Sequence, residues 1–145
     1  YRRQRQMCIR DSKYNEEKDW RQVRETVFIK EQHFQNEFDD IDMTAIHLTA
    51  YEGACLIGCG RIYPAEDLIS YHIGRIAVFK EYRNQHFGAR LLAELEYAAK
   101  KQGAMCVRLD AQLQAVPFYE KQGYVICGEE HMDEHVPHIE MMKII

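Results

Sequence analysis

Apolar residues recur every three or four positions near the start of the chain. Trp20, Val23 and Val27 fall on one side of a helix with 3.6 residues per turn, and Arg24 falls on another face. This spacing predicts an amphipathic helix over residues 17–29. The helix therefore has one side to bury against the rest of the protein.

The next stretch changes from a helical pattern to strands. Residues 30–42 are polar and acidic, and they predict a second short helix and a loop that covers the functional site. Residues 45–51 and 54–63 are apolar or alternating, and Glu52-Gly53 between them is typical of a hairpin turn. A third strand is predicted over residues 68–78. These strands form an antiparallel meander.

The second half of the chain contains a longer helix. A buried stripe predicts it over residues 88–102, and Gly103 is placed to end it. Further segments are predicted as a strand at 105–110, a short helix ending at 122, and strands at 124–127 and 139–144. The order of elements gives a mixed α/β sheet flanked by helices.

Composition favours one compact domain. The chain has 145 residues, of which 46% are hydrophobic and 29% are charged, with three prolines and eight glycines. No run approaches the roughly 20 apolar residues that a membrane helix requires, so no membrane association is expected. The five cysteines contain no C-x-x-C pair and predict buried free thiols in a reducing compartment, which we take to be the cytoplasm.

The first twelve residues differ from the rest in charge. Residues 1–12 carry +3 against −4 for the whole chain, so the remaining residues carry −7. A basic arm for nucleic acid is one interpretation, and a non-native or disordered extension is the other. We favour the extension, because an acidic body opposes binding to a polyanion, and we expect no nucleic-acid partner. The domain then spans residues 13–145.

Two motifs carry candidate chemistry. Residues 82–89, YRNQHFGA, open the longer helix, and the N–H groups of a helix N-terminus can hold a pyrophosphate. Residues 115–124, AVPFYEKQGY, present a tyrosine hydroxyl from a short helix. Together the motifs suggest a site for coenzyme A with an acid beside it. No G-K-[ST] follows the first motif, which argues against a P-loop nucleotide hydrolase.

This pair of motifs resembles the GNAT superfamily of acyl-CoA N-acyltransferases. Arg83, Gly88 and the FYEKQGY run fit the family pattern, and phrases such as VFIKEQ, EFDDID and AIHL are similar to a small bacterial subgroup of the ElaA/YjcF type. The resemblance implies the GNAT fold and transfer of an acetyl group from acetyl-CoA to a primary amine of a small molecule or peptide. An acyl-CoA-binding sensor is the alternative, and a homodimer is a further expectation.

The resemblance also implies the coenzyme A contacts. In the family fold the third strand of the meander splays from the strand after the long helix, and the pantetheine arm lies in the opening. By resemblance, the cofactor-binding residues are Ile76, Ala77, Val78, Arg83, Asn84, Gln85, His86, Phe87, Gly88, Ala89 and Gln112. The first three are equally explained as a strand core, and Gln112 as a solvated glutamine.

The phosphate loop departs from the family pattern at two positions. His86 stands where the family has its first motif glycine, and Asn84 stands where many members have another. Asparagine tolerates left-handed conformations, but a β-carbon at His86 crowds the backbone if this residue needs a positive φ. A partly protonated imidazole that contacts phosphate is the other interpretation of His86.

Tyr119 is the candidate general acid. Transfer to an amine expels a thiolate, and a phenol with a pKa of about 10 can reprotonate it when placed nearby. Packing of this ring on Phe118 is the structural alternative. We interpret Phe118 as a core residue.

The acceptor side is less specified by the sequence. An ammonium substrate must lose a proton before attack, and the candidate bases are Glu31, His47, His138 and Glu140. Arg61 and Arg75 lie on strands that line the same cleft and can bind an acidic acceptor. Pairing with Glu37, Asp39, Asp40 or Asp42 is the competing explanation for the two arginines.

Three histidines near the C-terminus raise the question of a metal. His131, His135 and His138 are spaced so that their imidazoles can converge, but Pro137 argues against one continuous helix through them. We therefore expect no metal site. A hairpin loop near the acceptor pocket is the preferred interpretation.

Overall fold

The computed structural model describes the backbone of residues 8–11 and the whole of residues 16–145. The helices are α1 (Glu17–Arg24), α2 (Phe87–Lys101) and α3 (Val116–Lys121). The strands are β1 (Cys8–Asp11), β2 (Ile46–Glu52), β3 (Cys55–Pro64), β4 (Ser70–Val78), β5 (Cys106–Gln112), β6 (Val125–Ile126), β7 (His131–Asp133) and β8 (Val136–Ile144). Short 3-10 turns lie at Asp40–Met43, Lys80–Tyr82 and Leu113–Ala115.

The strands form one mixed sheet. Its order is β1-β2-β3-β4-β5-β8-β6, and β7 also pairs with β8. All neighbouring strands are antiparallel except β4 and β5, which are parallel and are connected through α2. The predicted mixed sheet flanked by helices is confirmed. Within the described residues, none of the helices combines the length and the apolar character needed to cross a membrane.

Each face of the sheet has its own apolar core. On one face, Leu91, Leu92 and Leu95 of α2 are fully buried with Val107 and Met141 of the sheet. The apolar stripe of α2 and the left-handed Gly103 after it, with φ 94°, agree with the predicted helix and its end. This core fixes β5 and β8 under α2.

The opposite face is covered by α1. Trp20 and Val23 of α1 pack with Val27, Phe28 and Phe34 against Cys59 and Ala77 of the sheet. The helix does not continue to residue 29 in α form, because Glu25–Glu31 is a π-helical segment. A π-helical segment of this kind is often associated with functional sites. It leads the chain directly to the rim of the cleft.

Several local predictions differ from the structure. Residues 30–42 contain no second helix other than the 3-10 turn that begins at Asp40. Arg24 is not on an outer face, since it is 1% exposed. Cys59 and Cys106 are buried thiols as predicted, but Cys55 and Cys127 are exposed.

The expectation for residues 1–12 falls mainly on positions outside the described residues. Within that stretch, the backbone of Cys8–Asp11 forms β1, which pairs with residues 48–51 of β2. The domain boundary at residue 13 stays a prediction.

Candidate active site

The cleft of this protein lies where β4 and β5 separate. The two strands pair only between Ser70–His72 and Cys106–Arg108, and beyond His72 they diverge. A bulge lies in β4 where the register with β3 shifts, and Arg75 there has φ 53°. A bulge bends its strand, which opens the gap further. A cavity of about 520 Å³ fills the opening.

The β4 side of the cleft presents main-chain groups. Ala77 and Val78 pair with Cys59 and Gly58 of β3. Pairing with β5 has already ended at His72, so the cleft-side edge of β4 beyond His72 has no strand partner, although Val78 O accepts from Arg83 Nε. An open strand edge is a row of hydrogen-bonding groups for an extended ligand. Ile76 lines the cleft, whereas Ala77 and Val78 are not among the lining residues, and the cofactor contacts of all three stay a prediction.

The loop before α2 has an unusual backbone. Asn84 and His86 have φ of 63° and 66°, both left-handed. His86 is the residue before the first helical position, and the first intrahelical bond of α2 runs from Arg90 N to His86 O at 3.2 Å. The first N–H groups of a helix have no partner within it. The main-chain N–H groups of residues 84–89 are therefore available as donors at the helix N-terminus, an arrangement that binds phosphate.

The positive φ at His86 leads to a stability prediction. A residue with a β-carbon pays about 1 kcal/mol or more for this conformation, whereas glycine does not. We expect His86→Gly to raise the free energy of unfolding by about 0.5–1 kcal/mol, measured by urea denaturation. Gln85 does not have a positive φ, so Gln85→Gly should lower stability instead. A loss of stability in both variants would contradict strain at His86.

Arg83 follows the 3-10 turn after β4, and part of its guanidinium is already hydrogen-bonded. Its Nε donates to Val78 O at 2.9 Å, and its terminal nitrogens donate to the Glu31 carboxylate at 2.6 and 2.8 Å. A guanidinium has five N–H groups, so two remain for a phosphate. The hydrogen bond from Arg83 lowers the pKa of Glu31 against the opposing effect of burial. A carboxylate held in this way is a poor base.

Tyr119 lines the cleft from α3. Its ring packs edge-on against Phe118 at 5.1 Å and Tyr124 at 5.7 Å, so the structural role considered for it is also present. Within residues 16–145 its hydroxyl has no hydrogen-bond partner. Burial raises the pKa of Tyr119 to about 12. The phenol keeps its proton at neutral pH and is free to donate it to a ligand.

His138 of β8 also lines this cleft and is 6% exposed. Its Nδ1 lies 2.9 Å from the carbonyl oxygen of Val136. A carbonyl only accepts hydrogen bonds, so Nδ1 carries a proton, and the tautomer that fits this contact has its lone pair on Nε2. Within the described residues Nε2 has no hydrogen-bond partner. A buried imidazole with a free acceptor nitrogen can take a proton from an amine.

The other candidate bases lie elsewhere. His47 stacks on Trp20 at 4.1 Å and its Nε2 lies 3.0 Å from Asp42 O, while burial lowers its pKa. It is therefore the hydrogen-bonded histidine on a sheet face that the sequence also allowed. Glu140 lies beyond the cleft, 3.5 Å from Arg108. Of the four candidates, His138 alone lines the cleft.

A network of ion pairs ties the segment before β2 to the sheet. Its members are Arg24, Arg61, Arg75, Glu37, Asp39 and Asp42. Burial raises the pKa of Asp42, but the hydrogen bond and charge of Arg24 and the hydrogen bond of Arg61 lower it to about 2. Burial raises the pKa of Glu37 against the arginines around it. Arg24, Glu37 and Asp42 were not predicted as site residues.

The two arginines expected to bind an acceptor belong to this network. Arg61 is 2% exposed and donates to Asp39 and Asp42, both at 2.7 Å. Arg75 lies 2.9 Å from Glu37 Oε2. In the structure both arginines therefore pair with carboxylates, which was the competing explanation for them. The geometry does not support an acidic acceptor bound by these side chains.

A loop and a hairpin close one end of the cleft. Glu134 accepts from the main-chain N–H of Gln35 at 2.8 Å and of Asn36 at 2.9 Å. His135 Nε2 donates to Gln32 O at 2.8 Å, and Gln112 donates to the Gln32 side chain at 2.8 Å. Gln112 thus joins the end of β5 to this loop. The histidine segment is a hairpin, as preferred, and the described residues contain no cluster suited to a metal ion.

Known proteins resemble this chain in sequence and fold. Residues 10–145 match the family described as "Acetyltransferase (GNAT) domain". The uncharacterized N-acetyltransferase YjcF of Bacillus subtilis is 40% identical over 134 residues, covering 89% of this chain and 94% of that protein. Escherichia coli ElaA superposes with a TM-score of 0.83 at 23% identity, over 94% of this chain and 99% of ElaA.

A third similarity concerns a protein with a bound ligand. The structure of an aminoglycoside 6'-N-acetyltransferase complexed with coenzyme A has a TM-score of 0.74 to this chain at 18% identity. The alignment covers 94% of this chain and 96% of that one. At this identity the likeness concerns the fold alone.

Proposed function

Since this chain belongs to the GNAT acetyltransferase family, we propose that it transfers an acetyl group from acetyl-CoA to a primary amine by direct attack in a ternary complex. The observation that carries the proposal is the cleft between β4 and β5, which is lined by the hydroxyl-bearing Tyr119 and the buried His138. One can supply a proton and the other can accept one. The acceptor amine and the thioester meet between them.

The donor is held by backbone groups and one arginine. The pyrophosphate binds at the N-terminus of α2, where residues 84–89 direct N–H groups outward and Arg83 keeps two free N–H groups. The pantetheine arm follows the open edge of β4 at residues 76–78. A relative in fold has been solved with coenzyme A, which supports the same donor class here.

The reaction balances with the two side chains in these roles. His138 Nε2 takes the proton that an ammonium must lose, and the free amine attacks the thioester carbonyl. The C–S bond then breaks, and Tyr119 gives its proton to the leaving thiolate. The phenolate recovers a proton from the attacking nitrogen through solvent, which leaves a neutral amide. The net products are the amide, coenzyme A thiol and one proton on His138.

Binding of acetyl-CoA tests the donor site directly. A ligand that binds only the folded protein stabilises it by about 2.7 kcal/mol at a hundredfold excess over Kd. We expect a corresponding rise in Tm and a calorimetric binding signal. Absence of any acyl-CoA affinity up to millimolar concentration would overturn the proposal.

A pair of charge variants locates the pyrophosphate. Gln85 and Gln102 are exposed glutamines at opposite ends of α2. Gln85→Glu adds a negative charge beside the phosphate loop and should weaken acetyl-CoA binding about fivefold at low salt, the effect of roughly 1 kcal/mol. Gln102→Glu adds the same charge at the far end and serves as the control. Equal affinity in both variants would place the pyrophosphate elsewhere.

A further inference from the structure

The charges that line the cleft are unequally compensated. Three arginines line it, and each already has a carboxylate partner: Arg61 with Asp39 and Asp42, Arg75 with Glu37, and Arg83 with Glu31. Each positive charge is balanced by a carboxylate, so none is left over for an anionic acceptor, while Arg83 keeps two N–H groups for the pyrophosphate of the donor. The carboxylates of the cleft must therefore be considered separately.

Of the four carboxylates that line the cleft, two are held by several partners and two are not. Glu37 binds arginine, and Glu134 holds main-chain N–H groups of the loop. Asp133 makes no hydrogen bond or ion pair within residues 16–145. Asp110 has one partner, His131, whose Nε2 is 3.5 Å from its carboxylate in an exposed pair. The uncompensated charge of the cleft is therefore negative.

An independent feature of the same cleft is an acceptor nitrogen that faces it. The His138 side chain is more than nine-tenths buried and lines the cleft, and its Nε2 has no hydrogen-bond partner among the described residues. Among those residues, Arg61 Nε is the buried side-chain atom that lacks a partner, so His138 Nε2 is instead open to the cleft. A bound amine can donate a hydrogen bond to it there.

The β7–β8 hairpin places this acceptor beside the free carboxylates. His131 pairs directly with His138, and their ring centroids are 6.2 Å apart. His131 and Asp133 are two positions apart on β7 and share one face, so they lie roughly 7 Å apart along the strand. Asp110 contacts His131 from β5. The carboxylates of Asp110 and Asp133 are therefore separated from the imidazole of His138 by about the length of a short aliphatic chain.

We propose that the acceptor is a diamine, or another amine with a second cationic group, and that Asp110 and Asp133 bind the second charge while His138 faces the amine that is acylated. This inference rests on the proposed acetyl transfer and adds the substrate class. The carboxylates attract the cation and position the distant amine. Arg61 and Arg75 shape the cleft and do not bind the acceptor.

Acceptor competition tests the proposal. We expect kcat/KM with saturating acetyl-CoA to be at least tenfold higher for 1,4-diaminobutane than for butylamine at low salt. In Asp110→Asn and Asp133→Asn the ratio of the two values should fall about tenfold. Glu130→Gln removes an exposed charge that does not line the cleft and should keep the wild-type ratio.

The outcomes separate this inference from the proposed function. Equal use of both amines, an unchanged ratio in the two aspartate variants, or a preference for 4-aminobutanoate would overturn the diamine proposal while acetyl transfer stands. If no amine is acetylated, acetyl transfer fails, and calorimetry on the protein with bound coenzyme A decides the binding claim. Tighter binding of 1,4-diaminobutane than of butylamine, weakened in both aspartate variants, supports it; equal binding overturns it.

Discussion

Tyr119→Phe should lower kcat by roughly 10²–10⁴-fold, the usual contribution of a positioned general acid. The substitution keeps the ring and its contacts with Phe118 and Tyr124 and removes only a hydroxyl that has no partner in the described residues. Folding and acetyl-CoA affinity should therefore be retained. Steady-state kinetics combined with calorimetry measures both quantities.

The neighbouring tyrosine supplies a matched control. Tyr124 is 2% exposed, and its hydroxyl donates to Glu96 at 2.7 Å, away from the cleft. Tyr124→Phe breaks a buried hydrogen bond, so it should reduce stability and leave kcat near the wild-type value. If Tyr119→Phe behaves like Tyr124→Phe in an assay limited by chemistry, Tyr119 is not the acid.

Burial also determines how Tyr119 responds to pH. A low-polarity environment disfavours the phenolate and raises the pKa of Tyr119 to about 12. The acid therefore keeps its proton until the pH approaches 12. Wild-type kcat should show no loss from Tyr119 ionisation between pH 7 and 10. A pH profile across this interval checks the sign of the shift.

His138→Gln should lower kcat/KM by roughly 10²–10⁴-fold, because glutamine cannot take up the proton of an ammonium. The variant should keep a Tm close to that of the wild-type protein. A large loss of kcat/KM without a matching loss of stability is the readout that a purely structural histidine would not give. Acetyl-CoA affinity should be retained, since His138 lies on the acceptor side.

His47 provides the comparison for this substitution. It was an equal candidate from the sequence, but it stacks on Trp20 outside the cleft. His47→Gln should reduce stability and keep kcat/KM near the wild-type value. A large loss of kcat/KM with His47→Gln and none with His138→Gln would exchange their roles.

The sequence was sufficient for most of the fold because the elements follow local patterns. The stripe of α2 and the hairpin turn depend on neighbours within a few residues, and both are present in the structure, with the turn at residues 53–54 instead of 52–53. β7 was missed because three residues, all exposed, carry no apolar alternation. The π-helical segment was missed because it keeps nearly the same buried side as an α-helix.

The sequence could predict a feature of the candidate site only where the residues that form it lie within one motif. From residue type alone, we expected His86 to crowd the backbone if it needed a positive φ. The structure gives His86 a φ of 66°. The partner of Arg83 is Glu31, 52 positions away, and no local pattern reveals such a pair. Arg24 was assigned to an outer face because its partners Glu37 and Asp42 come from a distant loop.

Choosing among the candidate bases required three-dimensional information of another kind. His138 differs from His47 by the atom on which its proton resides, which depends on the Val136 carbonyl two residues before it. Residue type and spacing do not reveal which ring nitrogen carries the proton. That depends on how the β7–β8 hairpin places the ring of His138 beside the Val136 carbonyl.

The short seam between β4 and β5 has a consequence for how the protein folds. The β2–β3–β4 meander forms from hairpins that are local in sequence, whereas the parallel seam needs closure of the chain through α2 and is held by only three residue pairs. Contacts distant in sequence form late because their loop entropy is lost first. The meander can therefore assemble before the two halves join, and the cleft comes into existence only with the last step of folding.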